Sequence, residues 1–129
     1  MNETTFLKRV LLLDAASCLG MGAVLTLGAG SLAGPFGLSA TILTGAGLAL
    51  LPIGLFIAFV ASRAMSHPAL VWLIVGGNAL WVGDSILLMT QAPNITMIGS
   101  AFVAVQAAAV AALTLLEAWG VTRMRAARA

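Results

Sequence analysis

VWLIVGGNALWVGDSILLM, residues Val71–Met89, is apolar for long enough to cross a bilayer. About 20 apolar residues, rising about 1.5 Å each, span the hydrocarbon. The interior of the stretch nevertheless holds Asn78, Trp81, Asp84 and Ser85. A carboxylate at that depth costs roughly 3 kcal/mol unless it finds a partner or water. Asp84 is therefore expected to face other helices, bonded to a hydroxyl such as Ser17, Thr26 or Thr44, or to stand hydrated in an outward-facing cavity. Gly76, Gly77 and Gly83 place small side chains beside the acid, which predicts close approach of a neighbouring backbone. The stretch reads as the central helix of a small membrane bundle.

The rest of the chain agrees. Of its 129 residues, 61% are hydrophobic and only 8% charged, where a soluble domain carries about 25%. Mean hydropathy is +1.10, and the apolar residues fall in runs too long for the core of a soluble fold, which excludes a soluble enzyme. Spans are expected over about 6–27, 38–62, 69–90 and 97–119, in one transmembrane domain covering 1–129. The glycines and the Gly34-Pro35 step predict a loop over Gly28–Gly37, Pro68 opens the third helix, and Gln91–Thr96 is a tight connection. Gly120–Ala129 reads as a basic tail. The predicted fold is all-α: four transmembrane helices in an up-down bundle.

Charge placement orients it. Lys8, Arg9, Arg63, Arg123, Arg125 and Arg128 fall on one side of a four-span arrangement, and the other two loops carry no basic residue. The positive-inside rule places both termini and the Arg63 turn in the cytoplasm. Basic residues scattered at membrane edges do not make a nucleic-acid surface. The Ala15-Ala16-Ser17-Cys18 step resembles a lipoprotein cleavage site, but Val10–Leu13 is too short for a signal core, so the first helix is expected to be retained. A faint parallel repeat pairs Val60-Ala61-Ser62-Arg63 with Gly120-Val121-Thr122-Arg123, and Asp14 with Asn78.

The polar residues within the spans are the candidate functional positions: Asp14, Asn78, Trp81, Asp84, Gln106 and Glu117. Asp14, Ser17, Cys18 and Met21 share one helical face at i, i+3, i+4, i+7. Asp14 is either a protonatable site on a substrate path or a structural acid bonded to a neighbouring hydroxyl, amide or base. Glu117 lies at a similar depth, and an interfacial ion pair with Arg123, Lys8 or Arg9 is expected to tie the first helix to the last. Asn78 and Gln106 sit near mid-membrane and are expected to bond across the third and fourth helices. Trp81 reads as core packing, with a hydrophobic ligand pocket the sharper reading; Trp72 and Trp119 read as interfacial anchors. Pro52 predicts a kink near Leu48. Thr41/Gly45/Ala49 and Ser100/Ala104/Ala108/Ala112 repeat small residues at the spacing of close helix contacts, in a homo-oligomer or a larger membrane complex. His67 and Cys18 are each solitary, so neither a metal nor a cofactor is expected, and cofactor-binding residues are not assigned.

The segments DAAS at Asp14–Ser17, NALW at Asn78–Trp81 and VQAAAV at Val105–Val110 resemble small four-helix bacterial membrane proteins that carry no assigned chemistry, which implies a location in a bacterial inner membrane. Leu13-Asp14-Ala15 is also similar to the first-helix LAE context of the small multidrug resistance transporters, which implies a membrane-embedded acid in a small transporter. The chain departs from that family in having no tyrosine, a second acid at Asp84 and a charge bias that demands a single orientation. With no nucleophile–base pair, phosphate loop or metal cluster, the leading expectation is a non-catalytic accessory or assembly subunit. The competing expectations are a small proton-coupled transporter acting through Asp14 and Asp84, and an intramembrane binder of a quinone, lipid or pigment.

Overall fold

The computed structural model describes residues 3–63 and 67–128, and within them the chain is entirely helical apart from its connections. The helices are α1 (Glu3–Phe36), α2 (Ala40–Arg63), α3 (Pro68–Gln91) and α4 (Met97–Arg128). Each of the four is long and apolar enough to cross a membrane. The predicted turn at 63–68 lies partly outside the described residues.

Two predicted boundaries are corrected. The glycine-rich run 28–36 is not a loop but the last turns of α1. Ala29, Leu32, Ala33 and Phe36 recur at helical spacing and pack into the core, which outweighs the roughly 1 kcal/mol that an interior glycine costs. The stop comes at Gly37, whose φ of +67° a side chain would resist. There Gly37 N donates to Gly34 O at 3.2 Å and Leu38 N to Ala33 O at 3.2 Å, closing the helix in a Schellman motif. Ser39 Oγ then accepts from Ile42 N at 3.1 Å and caps α2. At the other end of the chain, Gly120 does not begin a tail. Val121 and Met124 are buried, so α4 continues to Arg128.

Successive helices run antiparallel. Glycine lets α1 and α2 approach closely: a Cβ on Gly22 would lie 3.0 Å from Gly47 O, and one on Gly54 2.8 Å from Leu19 Cγ. A Cβ on Gly47 would strike Thr26. α3 packs on α4 and α4 on α1, whereas α2 barely meets α3. The helices therefore follow one another around the bundle as α2, α1, α4, α3, with an open seam between the ends of that series. Lys8, Arg9, Arg63 and Arg123 gather at one end. α2 runs on as helix through Pro52.

The rotation of α3 differs from expectation. Its inward face is Val71, Ile74, Asn78 and Ser85, with Trp81 packed against the core. That spacing turns Asp84 outward, where it is exposed, and a Cβ on Gly76, Gly77 or Gly83 would meet nothing within 4 Å. The close backbone contact predicted there belongs instead to Gly22, Gly47 and Gly54. The small-residue stripes Thr41/Gly45/Ala49 and Ala104/Ala108/Ala112 also face outward. Leu27 and Met97 are both 88% exposed, a cost that water would impose and lipid would not.

Candidate functional site

Three helices converge on one amide. Asn78 of α3 donates through Nδ2 to Asp14 Oδ2 of α1 at 2.8 Å and to Glu117 Oε1 of α4 at 3.1 Å. Asp14 is 1% exposed and Glu117 is not exposed at all. Sharing one nitrogen places those two acid oxygens within about 6 Å of each other. Cys18, one turn along α1, points its thiol at Asp14 Oδ1 at 3.8 Å. Glu117 Oε2 is buried with no hydrogen-bond partner. Two buried carboxyls thus draw on one amide, and burying such groups in a bundle is expensive.

This revises the roles expected of two residues. Glu117 is buried inside the bundle, and the hydrogen-bond partner of its Oε1 is the Asn78 amide, because the inward faces of α3 and α4 meet at that level. Asn78 reaches the two acids and leaves Gln106 to a second cluster. Gln106 Oε1 accepts from Trp81 Nε1 at 2.9 Å, and its Nε2 donates to Ser85 Oγ at 2.8 Å and to Val103 O at 3.0 Å. Ser85 in turn donates to Trp81 O at 2.9 Å. Ser85 stands seven residues beyond Asn78, so the two polar clusters are about 10 Å apart along α3. Asp84 belongs to neither. It lies in an open groove at the other end of the bundle, near Ser39, Gln91 and Asn94.

Beside both clusters, α1 and α4 part to leave a cleft of about 880 Å³. The two helices are clasped at each end. Phe6 meets Trp119 edge-on with ring centroids 5.1 Å apart, and Arg123 lies over that indole at 5.3 Å. At the far end Phe36 stacks on Phe102 at 4.7 Å. There Thr96 both caps α4, accepting from Gly99 N at 3.0 Å, and donates to Pro35 O at 2.6 Å. Between the clasps small and apolar residues such as Gly20, Ala101 and Ala109 line the walls, and Asp14, Ser17, Cys18, Trp81 and Gln106 supply the polar part. Val24, Ile98 and Val105 stand exposed along its mouth.

Comparisons of the chain with protein-family models, with curated proteins and with solved structures find no match. The four-helix architecture fits the general resemblance drawn from DAAS, NALW and VQAAAV and assigns it no chemistry.

The residues that sequence reasoning missed are Ser85 as a partner of Gln106, and Phe36 and Phe102 as the far clasp. A signal for the acid network was present. Asp14 and Glu117 lie at similar depths, and Asn78 is the residue that pairs with Asp14 in the faint repeat.

Proposed function

We propose that this chain is a multi-pass protein of the bacterial inner membrane, with both termini cytoplasmic, that binds a lipophilic small molecule entering the α1–α4 cleft sideways from the bilayer. The cleft carries the proposal. Its volume of about 880 Å³ lies in the range of small-molecule sites, roughly 300–1,000 Å³, and its walls are apolar with a few convergent polar groups. The acid–amide network fixes α1, α3 and α4 at one level and so holds the inner part of the cleft in shape. On this reading the protein is non-catalytic: it binds, sequesters or presents its ligand.

Assembly with a membrane partner is the second reading, supported by the outward small-residue stripes on α2 and α4. Transport through Asp14 and Asp84 together would have to link two separate places, the buried network and the outer groove.

Purification in mild detergent followed by native mass spectrometry and solvent extraction tests the proposal. A lipophile released in about equimolar amount is expected. Ala109→Phe, which fills the cleft from an exposed position, should lose it while keeping the helical circular dichroism of the parent. Equal retention by that variant would overturn the assignment of the cleft.

A further inference from the structure

The hydrogen-bonding groups on the cleft wall are unevenly used. Trp81 Nε1 is committed to Gln106, and Gln106 Nε2 spends its two hydrogens on Ser85 and Val103. The Ser17 hydroxyl donates to Leu13 O at 2.9 Å, and the Cys18 thiol points to Asp14. Asn78, behind Asp14, has both amide hydrogens on the two acids. Both Asp14 oxygens already accept, Oδ2 from Asn78 and Oδ1 from Cys18. Backbone N–H groups along the walls are taken by the helices themselves. Every side-chain donor facing the cleft is therefore occupied.

Acceptors are left over. A hydroxyl oxygen has two lone pairs and an amide oxygen two, while a carboxyl has more than the pair of contacts Asp14 receives. Ser17 Oγ, Gln106 Oε1 and the Asp14 carboxyl thus retain capacity toward the cleft that nothing in the chain uses. A ligand whose polar end only accepts, such as a ketone, ether or ester, would be stripped of its water and given nothing in return. One that donates would satisfy groups already out of water. We infer that the cleft selects a lipophile bearing a hydrogen-bond-donating head, a hydroxyl or phenol, over otherwise identical molecules whose head can only accept. The inference rests on the cleft being the binding site, and it identifies the chemistry the site recognises.

The test uses Trp81, which lines the cleft, as reporter. In a Trp72→Phe/Trp119→Phe background in detergent, Trp81 fluorescence is titrated with a bromine-labelled long-chain alcohol and with its methyl ether. The alcohol is expected to quench at a concentration at least tenfold lower than the ether. Asp14→Asn, which adds a donor to the wall, should shrink that preference to threefold or less. Ala109→Phe should abolish quenching by both probes. Equal quenching by alcohol and ether, still abolished by Ala109→Phe, would overturn the donor inference and leave the cleft as the binding site. A preference unchanged by Asp14→Asn would overturn Asp14 as the acceptor. Quenching that survives Ala109→Phe would place the ligand elsewhere and overturn the cleft itself.

Discussion

Replacing Asn78 by leucine tests the network at its hinge. The two side chains are close in size, so the change removes hydrogen bonds and leaves little cavity. Asn78 makes two interhelical bonds, at 2.8 Å to Asp14 and 3.1 Å to Glu117. Bonds of this kind within membranes average about 0.6 kcal/mol, so two give a floor of about 1 kcal/mol. That average assumes that the groups left behind find other partners. Here they do not: both acids are buried, and Glu117 Oε2 already lacks a partner. Leaving a buried hydrogen-bonding group unsatisfied costs about 1–3 kcal/mol, and the change strands one on each acid. The second effect should dominate, and Asn78→Leu is expected to cost about 3 kcal/mol. The assay is reversible unfolding in mixed micelles by SDS titration, followed by circular dichroism. Glu117→Gln supplies a second amide beside Asp14, so in that background the cost of Asn78→Leu should fall by about 1 kcal/mol or more, as coupled neighbours require. A cost below about 1 kcal/mol in the parent, or full additivity of the two changes, would refute the network.

Other expectations follow from the packing. Gly47→Ala should destabilise by about 1–3 kcal/mol in the same titration, because its methyl would strike Thr26, whereas Gly77→Ala, with open space around it, should be neutral or slightly stabilising. Asp84→Asn should change stability by less than about 0.5 kcal/mol, since the side chain is exposed in an open groove; a larger loss would return Asp84 to the interior. Thr96→Ala should cost about 1–2 kcal/mol by removing both the α4 cap and the bond to Pro35. Reporter fusions after Arg63 and after Ala129 should both read as cytoplasmic and one within Gln91–Thr96 as external; a cytoplasmic reading at the last would overturn the topology.

Which parts of this could be read from the residues depends on what periodicity encodes. Length and hydropathy mark four helices, because a bilayer demands long apolar runs whatever the partners. They do not mark rotation. Every face of α3 is apolar enough for lipid, so nothing local distinguishes the face bearing Asn78 and Ser85 from the one bearing Gly77 and Asp84. Glycine misled twice for related reasons. In α1 it reads as a loop although core-packed neighbours hold it helical, and in α3 it reads as a contact although the contact lies between α1 and α2. The site was legible in its parts. Asp14 and Glu117 stand out by the cost of burying them, but the reach of Asn78 to both depends on how α1, α3 and α4 come together. The cleft is a shape left between the two aromatic clasps, and no single residue announces it.

The most direct measurement is a dipolar recoupling experiment on the protein in lipid bilayers, with asparagine side-chain nitrogen and acidic side-chain carboxyl carbons isotopically labelled. Among the described residues Asn78 is the only asparagine within a helix, and Asp84→Ser removes the one acid of α3 without adding a labelled amide. The structure predicts strong dephasing of the Asn78 amide by two carboxyl carbons, with one lost in Asp14→Leu and the other in Glu117→Leu. An Asn78 amide coupled to neither carboxyl would contradict the convergence of α1, α3 and α4, and with it the cleft whose wall that convergence builds.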